Sequence, residues 1–227
     1  AIILEKLINA GLLPVLVVSN PDRPVGRKKM ITPPPAKVIA QKYHIPVWQP
    51  EVLSIPNSQF PISNYDFFTV AAYSKILPKE ILEIPRLGSI GVHPSLLPKY
   101  RGPSPIQSAI LNGEKETGVT LFLMDKKVDH GPILAQQKLE FLISPPNLMK
   151  SLAELGGDLL IDVLPRFIAG DIKPQPQNER GATYTKKFTT QDGYIEPEMI
   201  AVAERQGGEL ALMIDRKIRA LNPEPGA

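Results

Sequence analysis

Short, almost wholly apolar runs alternate with stretches of helical period along this chain, and that alternation constrains the fold more than any other feature. Residues 14–19, 44–48, 67–73 and 89–93 read as strands. Between them, residues 2–13 carry Ile2, Ile3, Leu4, Leu7, Ile8 and Leu12 at three- and four-residue spacing, a helical stripe. Residues 36–43 and 105–112 also read as helices, the second closed by Asn112-Gly113, and 148–168 as a long amphipathic one. Strands 118–124 and 132–141 return on each other through the polar turn Asp125–Gly131. The pattern predicts an α/β protein with an open, mostly parallel (Rossmann-like) sheet, to which the 118–141 pair adds mixed character. A βα unit starts with its strand, so the opening helix predicts a first strand before residue 1.

The chain has 227 residues, and 43% are apolar against 22% charged, which excludes a wholly disordered polymer. No apolar run approaches the roughly 18–20 residues that span a bilayer. Cysteine is absent, which removes disulfides, thiolate metal sites and cysteine nucleophiles together. The 26 basic and 23 acidic residues leave a charge of +3, too little to argue for nucleic-acid binding unless the charges cluster. The 25 prolines recur between apolar runs and read as short rigid connections. Residues 1–172 form one predicted α/β domain. Polar residues 173–189 follow as a linker, and 190–227 begin a second domain, with an extended crossing at 184–195 and a helix at 210–221.

Chemistry concentrates in two places. His93 ends an apolar strand and is followed by Pro94 and Pro98, where an α/β sheet opens to its ligand. Asp129 lies in the turn after strand 118–124, before His130, Gly131 and Pro132. If both occupy one sheet edge, Asp129 can orient His93 or exchange a proton with it. Taken singly, each has a plainer reading: a lone histidine as a surface or capping residue, an aspartate before glycine as a turn former. No histidine pair has ligand spacing, so no metal is expected. A serine hydrolase is excluded because no G-x-S-x-G elbow exists.

The run from His93 through Pro-Ser-Leu-Leu-Pro-Lys-Tyr-Arg-Gly to Gln107, with Asp129-x-Gly-Pro-Ile-Leu, resembles the folate-dependent formyltransferases. The stretches from Asn20 to Lys29, Pro46 to Pro50, Ala72 to Pro78 and Arg219 to Gly226 resemble the tRNA-modifying branch of that family, so the likeness covers nearly the whole chain. It implies 10-formyltetrahydrofolate as donor, the α-amino group of methionyl initiator tRNA as acceptor, and a cytoplasmic, monomeric enzyme of translation initiation. It also implies that the second domain is an OB-like β-barrel. The resemblance implies His93 as the catalytic imidazole and Asp129 as the carboxylate that tunes it and relays protons. The family pattern has an asparagine two residues before the histidine. Here Gly91 stands there, without a side-chain donor, which implies impaired turnover that an asparagine would restore, or a silent tRNA- or folate-binding relative. Folate contacts are implied for Tyr73, Ser74, Ile76, Leu77, Pro78, His93, Ser95, Leu96, Leu97, Pro98, Val128 and Asp129.

Arg23, Arg27, Lys28 and Lys29 place four positive charges in seven residues beside Gly26. Alone they read as a solvated loop. The resemblance assigns that loop to the tRNA acceptor stem, and Arg101, in the stretch after the His93 motif, is a further candidate to face the acceptor. A sugar-amine N-formyltransferase is the nearest rival, since it shares the His and Asp motifs without needing a basic loop.

Overall fold

A computed structural model describes residues 1–26, 28–53, 64–140, 145–223 and 225–226. The apolar stripe of the opening residues forms α1 (Ile2–Asn9). It leads to a short strand β1 (Val17–Val18) and to an antiparallel hairpin of β2 (Arg23–Val25) and β3 (Met30–Thr32). Helix α2 (Pro35–Lys42) carries proline in its first turn, where the missing N–H costs nothing, and delivers the chain to β4 (Val47–Trp48). Then follow β5 (Phe68–Ala71), α3 (Lys79–Leu82), β6 (Ser89–His93), α4 (Pro105–Leu111), β7 (Glu116–Leu123) and β8 (Ile133–Glu140). The chain continues through α5 (Pro145–Ile168), a 3₁₀ turn at Glu179–Gly181, α6 (Thr190–Gly193), α7 (Pro197–Gln206) and α8 (Gly208–Leu221).

The sheet is mixed where the sequence predicted a mostly parallel one. β1 pairs with β4 in parallel, as β5 does with β6. β6–β7 and β7–β8 are antiparallel, and the larger sheet has the order β5-β6-β7-β8. Apolar content reports that a strand is buried but not which way it runs. Alternation divides the sheet into two faces. Ile90 and Leu121 point into a core built with Leu7 of α1 and Leu160, Val163 and Leu164 of α5. Gly91 and His93, cross-strand from Phe122 and Thr120, point to the other face. That other face carries the candidate site.

The extended crossing expected at 184–195 gives way to the short helix α6 from Thr190, α7 follows at Pro197–Gln206, and the helix expected at 210–221 is α8. Ala220 and Leu221 of α8 are 2% and 1% exposed and share one cluster with Ile106, Ala109 and Ile110 of α4, Val119 of β7 and Leu148 and Leu152 of α5. Burying a leucine contributes roughly 1.5–3 kcal/mol, so α8 is anchored as part of the α/β unit. Residues 173–189 are not a free linker either. Gln175 exchanges both backbone hydrogen bonds with Ile133 (2.7 and 2.8 Å), and Arg101 forms a bridge with Tyr184. Among the described residues, no helix is long and apolar enough to cross a membrane.

Candidate active site

His93 ends β6 and is 6% exposed. The segment after it is latched to the neighbouring strands. Thr120 Oγ1 donates to the Ser95 carbonyl (2.6 Å) and accepts from the Leu97 N–H (3.0 Å), while Gln136 Nε2 donates to the Leu97 carbonyl (2.8 Å). The chain then returns so that the Tyr100 carbonyl meets His93 Nε2 at 2.8 Å. A carbonyl only accepts, so Nε2 carries the ring proton and Nδ1 keeps its lone pair. Nδ1 faces Asp129 Oδ2 at 3.5 Å. Burial pushes the His93 imidazole below its ordinary range, while the Asp129 charge and the Tyr100 carbonyl pull it partway back. His93 is therefore neutral at rest. As the pH falls through about 6.5, the unfolded chain binds this proton and the folded one does not, so stability declines.

Asp129 arrives by an unexpected route. β7 runs antiparallel to β6, so the turn that follows it starts at the sheet edge away from His93. Segment 124–131 folds back across the face that carries Gly91 and His93. The return is tight: a Cβ on Gly131 would overlap the Leu123 carbonyl oxygen. Asp129 itself has φ +47°, and its Oδ2 accepts the Gly102 N–H at 2.7 Å. Gln177 Nε2 donates to the carbonyls of Asp129 (3.0 Å) and Gly131 (2.8 Å). His130 sits between carboxylates, 2.6 Å from Asp125 and 3.6 Å from Glu179.

Three expected ligand contacts are corrected. Arg101 was assigned to the acceptor stem, but its side chain is 0% exposed. It donates to Gln177 Oε1 through Nε and Nη2 (3.1 and 2.7 Å), to both Glu179 oxygens (3.1 and 2.7 Å) and to Tyr184 (3.0 Å), leaving no face for a phosphate. Ser95 and Leu97, expected on folate, are 0% and 3% exposed. The Ser95 hydroxyl donates to the Lys99 carbonyl, so it is committed to the turn. Leu96 and Pro98, on either side of Leu97, stay half-buried.

Tyr73, Ser74, Ile76, Leu77 and Pro78 follow β5, whose parallel register pairs Ala71 with Val92, and so lie beyond the edge where His93 ends β6. Ile76 and Val128 are 90% and 59% exposed. Asn20 Oδ1 and the Tyr73 hydroxyl are buried without a hydrogen-bond partner, although Asn20 Nδ2 donates to Ser74. Within the basic cluster, Lys28 and Lys29 lie in the turn between β2 and β3, whereas Arg23 opens β2. Lys28 and Lys29 are exposed there, Arg23 pairs with Glu51 at 2.7 Å, and Arg27 lies outside the described residues.

Gly91 shares the His93 face, where an asparagine was expected to restore a donor. The register places Phe122 opposite, and a Cβ on Gly91 would lie inside contact distance of the Phe122 ring, 2.7 Å from Cζ. Phe122 is itself 2% exposed and has little room to give way. Gly91→Asn is therefore expected to cost about 1–3 kcal/mol by overpacking and to leave kcat no higher. A thermal melt with a kcat measurement checks this; an intact melt with a tenfold gain in kcat would contradict it.

A buried neutral histidine facing a carboxylate, on a sheet face roofed by its own loops, suits acyl transfer to an amine. A family model described as formyl transferase matches residues 3–164, and the chain belongs to that family. The relatives include methionyl-tRNA formyltransferases. That of Chloroflexus aurantiacus is 44% identical and that of Halorhodospira halophila 40%, each over 99% of this chain and 70% of the relative. Among solved structures, the N-formyltransferase from Helicobacter canadensis, in complex with folinic acid and dTDP-3-aminofucose, is 22% identical. It superposes with a TM-score of 0.65 over 96% of this chain and 75% of the other.

Proposed function

We propose that the chain transfers a formyl group from 10-formyltetrahydrofolate to the α-amino group of methionyl initiator tRNA. The observation that carries the mechanism is the geometry at His93, whose Nε2 meets the Tyr100 carbonyl at 2.8 Å while Nδ1 faces the Asp129 carboxylate at 3.5 Å. The acceptor amine, uncharged, adds to the formyl carbon and forms a new C–N bond. Its surplus proton passes to His93 Nδ1, directly or through one water, and the Asp129 carboxylate stabilises the imidazolium as it forms. Collapse of the tetrahedral adduct breaks the bond to the folate nitrogen, which takes that proton back from His93. Gly91 supplies no side-chain donor to the oxyanion.

The exposed apolar side chains of Ile76 and Val128 and the unpartnered polar atoms of Asn20 and Tyr73 are suited to an aromatic ring with polar edges, which supports the pterin as their ligand. The hairpin tip favours the tRNA acceptor over an amino sugar, because Lys28 and Lys29 project into solvent without a carboxylate of their own among the ion pairs described. The tip would contact phosphates of the acceptor stem.

Purified protein with 10-formyltetrahydrofolate should formylate methionyl-tRNA and leave amino sugars untouched. Alanine at Arg27, Lys28 and Lys29 should raise KM for the tRNA and flatten its log–log salt dependence by roughly two to three units. Transfer to a sugar amine instead would establish the rival reading. Binding of tRNA without transfer would point to a silent relative.

A further inference from the structure

We propose that Gln177 is a positioning residue for Asp129, which makes the crossing segment 175–185 part of the catalytic apparatus. The inference rests on the formyl-transfer reading above.

Asp129 needs external support. Its backbone has φ +47°, a left-handed conformation that residues with a side chain adopt at a cost. Its carboxylate stands 3.5 Å from His93 Nδ1, slightly beyond a hydrogen bond, so a small shift of the loop decides whether the pair closes when His93 takes a proton. Misplacement on the scale of 1 Å can cost roughly a hundredfold in rate.

Two holds meet at this residue. The Gly102 N–H fixes the carboxylate, and Gln177 Nε2 bridges the carbonyls of Asp129 and Gly131. Both belong to one bridge, because Arg101 precedes Gly102 and donates twice to Gln177 Oε1. The arginine dictates which end of the Gln177 amide faces it, and so which end faces the loop. Glu179 and Tyr184 complete the setting of the arginine, and Thr183 and Thr185 pair with its backbone. The bridge spans 48 residues of sequence between Asp129 and Gln177. A segment that reads as a polar connection thus sets the place of the proton-relay carboxylate.

The amide has a direction, and this yields a discriminating variant. Gln177→Glu keeps size and shape and still accepts from Arg101, but it turns a donor into an oxygen facing two carbonyl oxygens. Gln177→Ala removes both functions and serves if the glutamate variant does not fold. Hydrogen exchange of amides 128–131, measured without substrate, should speed up in either variant. Formyl transfer should lose roughly 10- to 100-fold in kcat, with both KM values within about twofold of the parent. In an Asp129→Asn background the same change should add less than about threefold, since both act on one proton transfer.

Unchanged exchange and kcat would overturn the proposal, as would an equal loss of kcat in the Asp129→Asn background. A parent protein that transfers no formyl group would defeat the functional reading instead. The exchange data would still decide whether Gln177 holds the loop.

Discussion

Replacing Asp129 by asparagine should lower kcat for formyl transfer by roughly 10²–10⁴-fold, the usual contribution of a positioned acid–base pair. The substitution conserves shape, and the new carbonyl oxygen can still accept the Gly102 N–H. What disappears is the negative charge beside His93 Nδ1. Without it the imidazolium that forms during transfer sits buried and uncompensated, as the 6% exposure of His93 requires. The shape-conserving change leaves the folate contacts expected from Tyr73 to Pro78 and from Val128 in place, so KM should change far less than kcat. Steady-state kinetics with both substrates checks the split. A loss of less than about fivefold would remove Asp129 from the mechanism.

Replacing Arg101 by methionine should cost about 2–4 kcal/mol of stability, an unusually large loss for an arginine. The side chain is 0% exposed and donates five hydrogen bonds to Gln177, Glu179 and Tyr184. Methionine fills part of the volume but strands Gln177 Oε1 beneath the crossing segment. Glu179 is 57% exposed and can be hydrated once its partner is gone, which keeps the cost below that of a stranded buried charge. Urea unfolding measures the loss directly. In a chain of this size it should also appear as a drop of roughly 2–4 °C in melting temperature per kcal/mol. A change under about 0.5 kcal/mol would mean that the guanidinium network is not holding the crossing segment.

The parts of this structure that were legible in sequence are those with a periodic signal. The apolar run Ser89–His93 is β6, with Gly88 before it and Pro94 after it. The hairpin-like return at 118–141 is the β7–β8 pair as far as the described residues extend, and the stripe at 2–13 is α1. The β2–β3 hairpin was hidden because all six of its residues are exposed, so no buried face imposes a period-2 pattern on the sequence. α7 was hidden for a similar reason, since none of its residues is buried.

The site was half legible. His93 and Asp129 could be named, but the path of segment 124–131 back across the sheet follows from strand direction, which local sequence does not encode. Arg101 looked like a surface cation because the residues that bury it, Gln177 and Glu179, lie 76 and 78 positions away in polar sequence. Gly91 looked like a missing donor. Only its pairing with Phe122 shows that the space has been filled.

The charge state of His93 is the measurement closest to the centre of this account. The chain has three histidines, so nitrogen-15 imidazole spectra of the protein alone can be assigned with single substitutions at His44 and His130. Across a titration, His93 should show the Nε2–H tautomer, stay neutral at pH 7 and protonate below the ordinary histidine value of about 6.5. A His93 already protonated at pH 7, or one carrying its proton on Nδ1, would contradict the assignment of that nitrogen as the proton acceptor in formyl transfer.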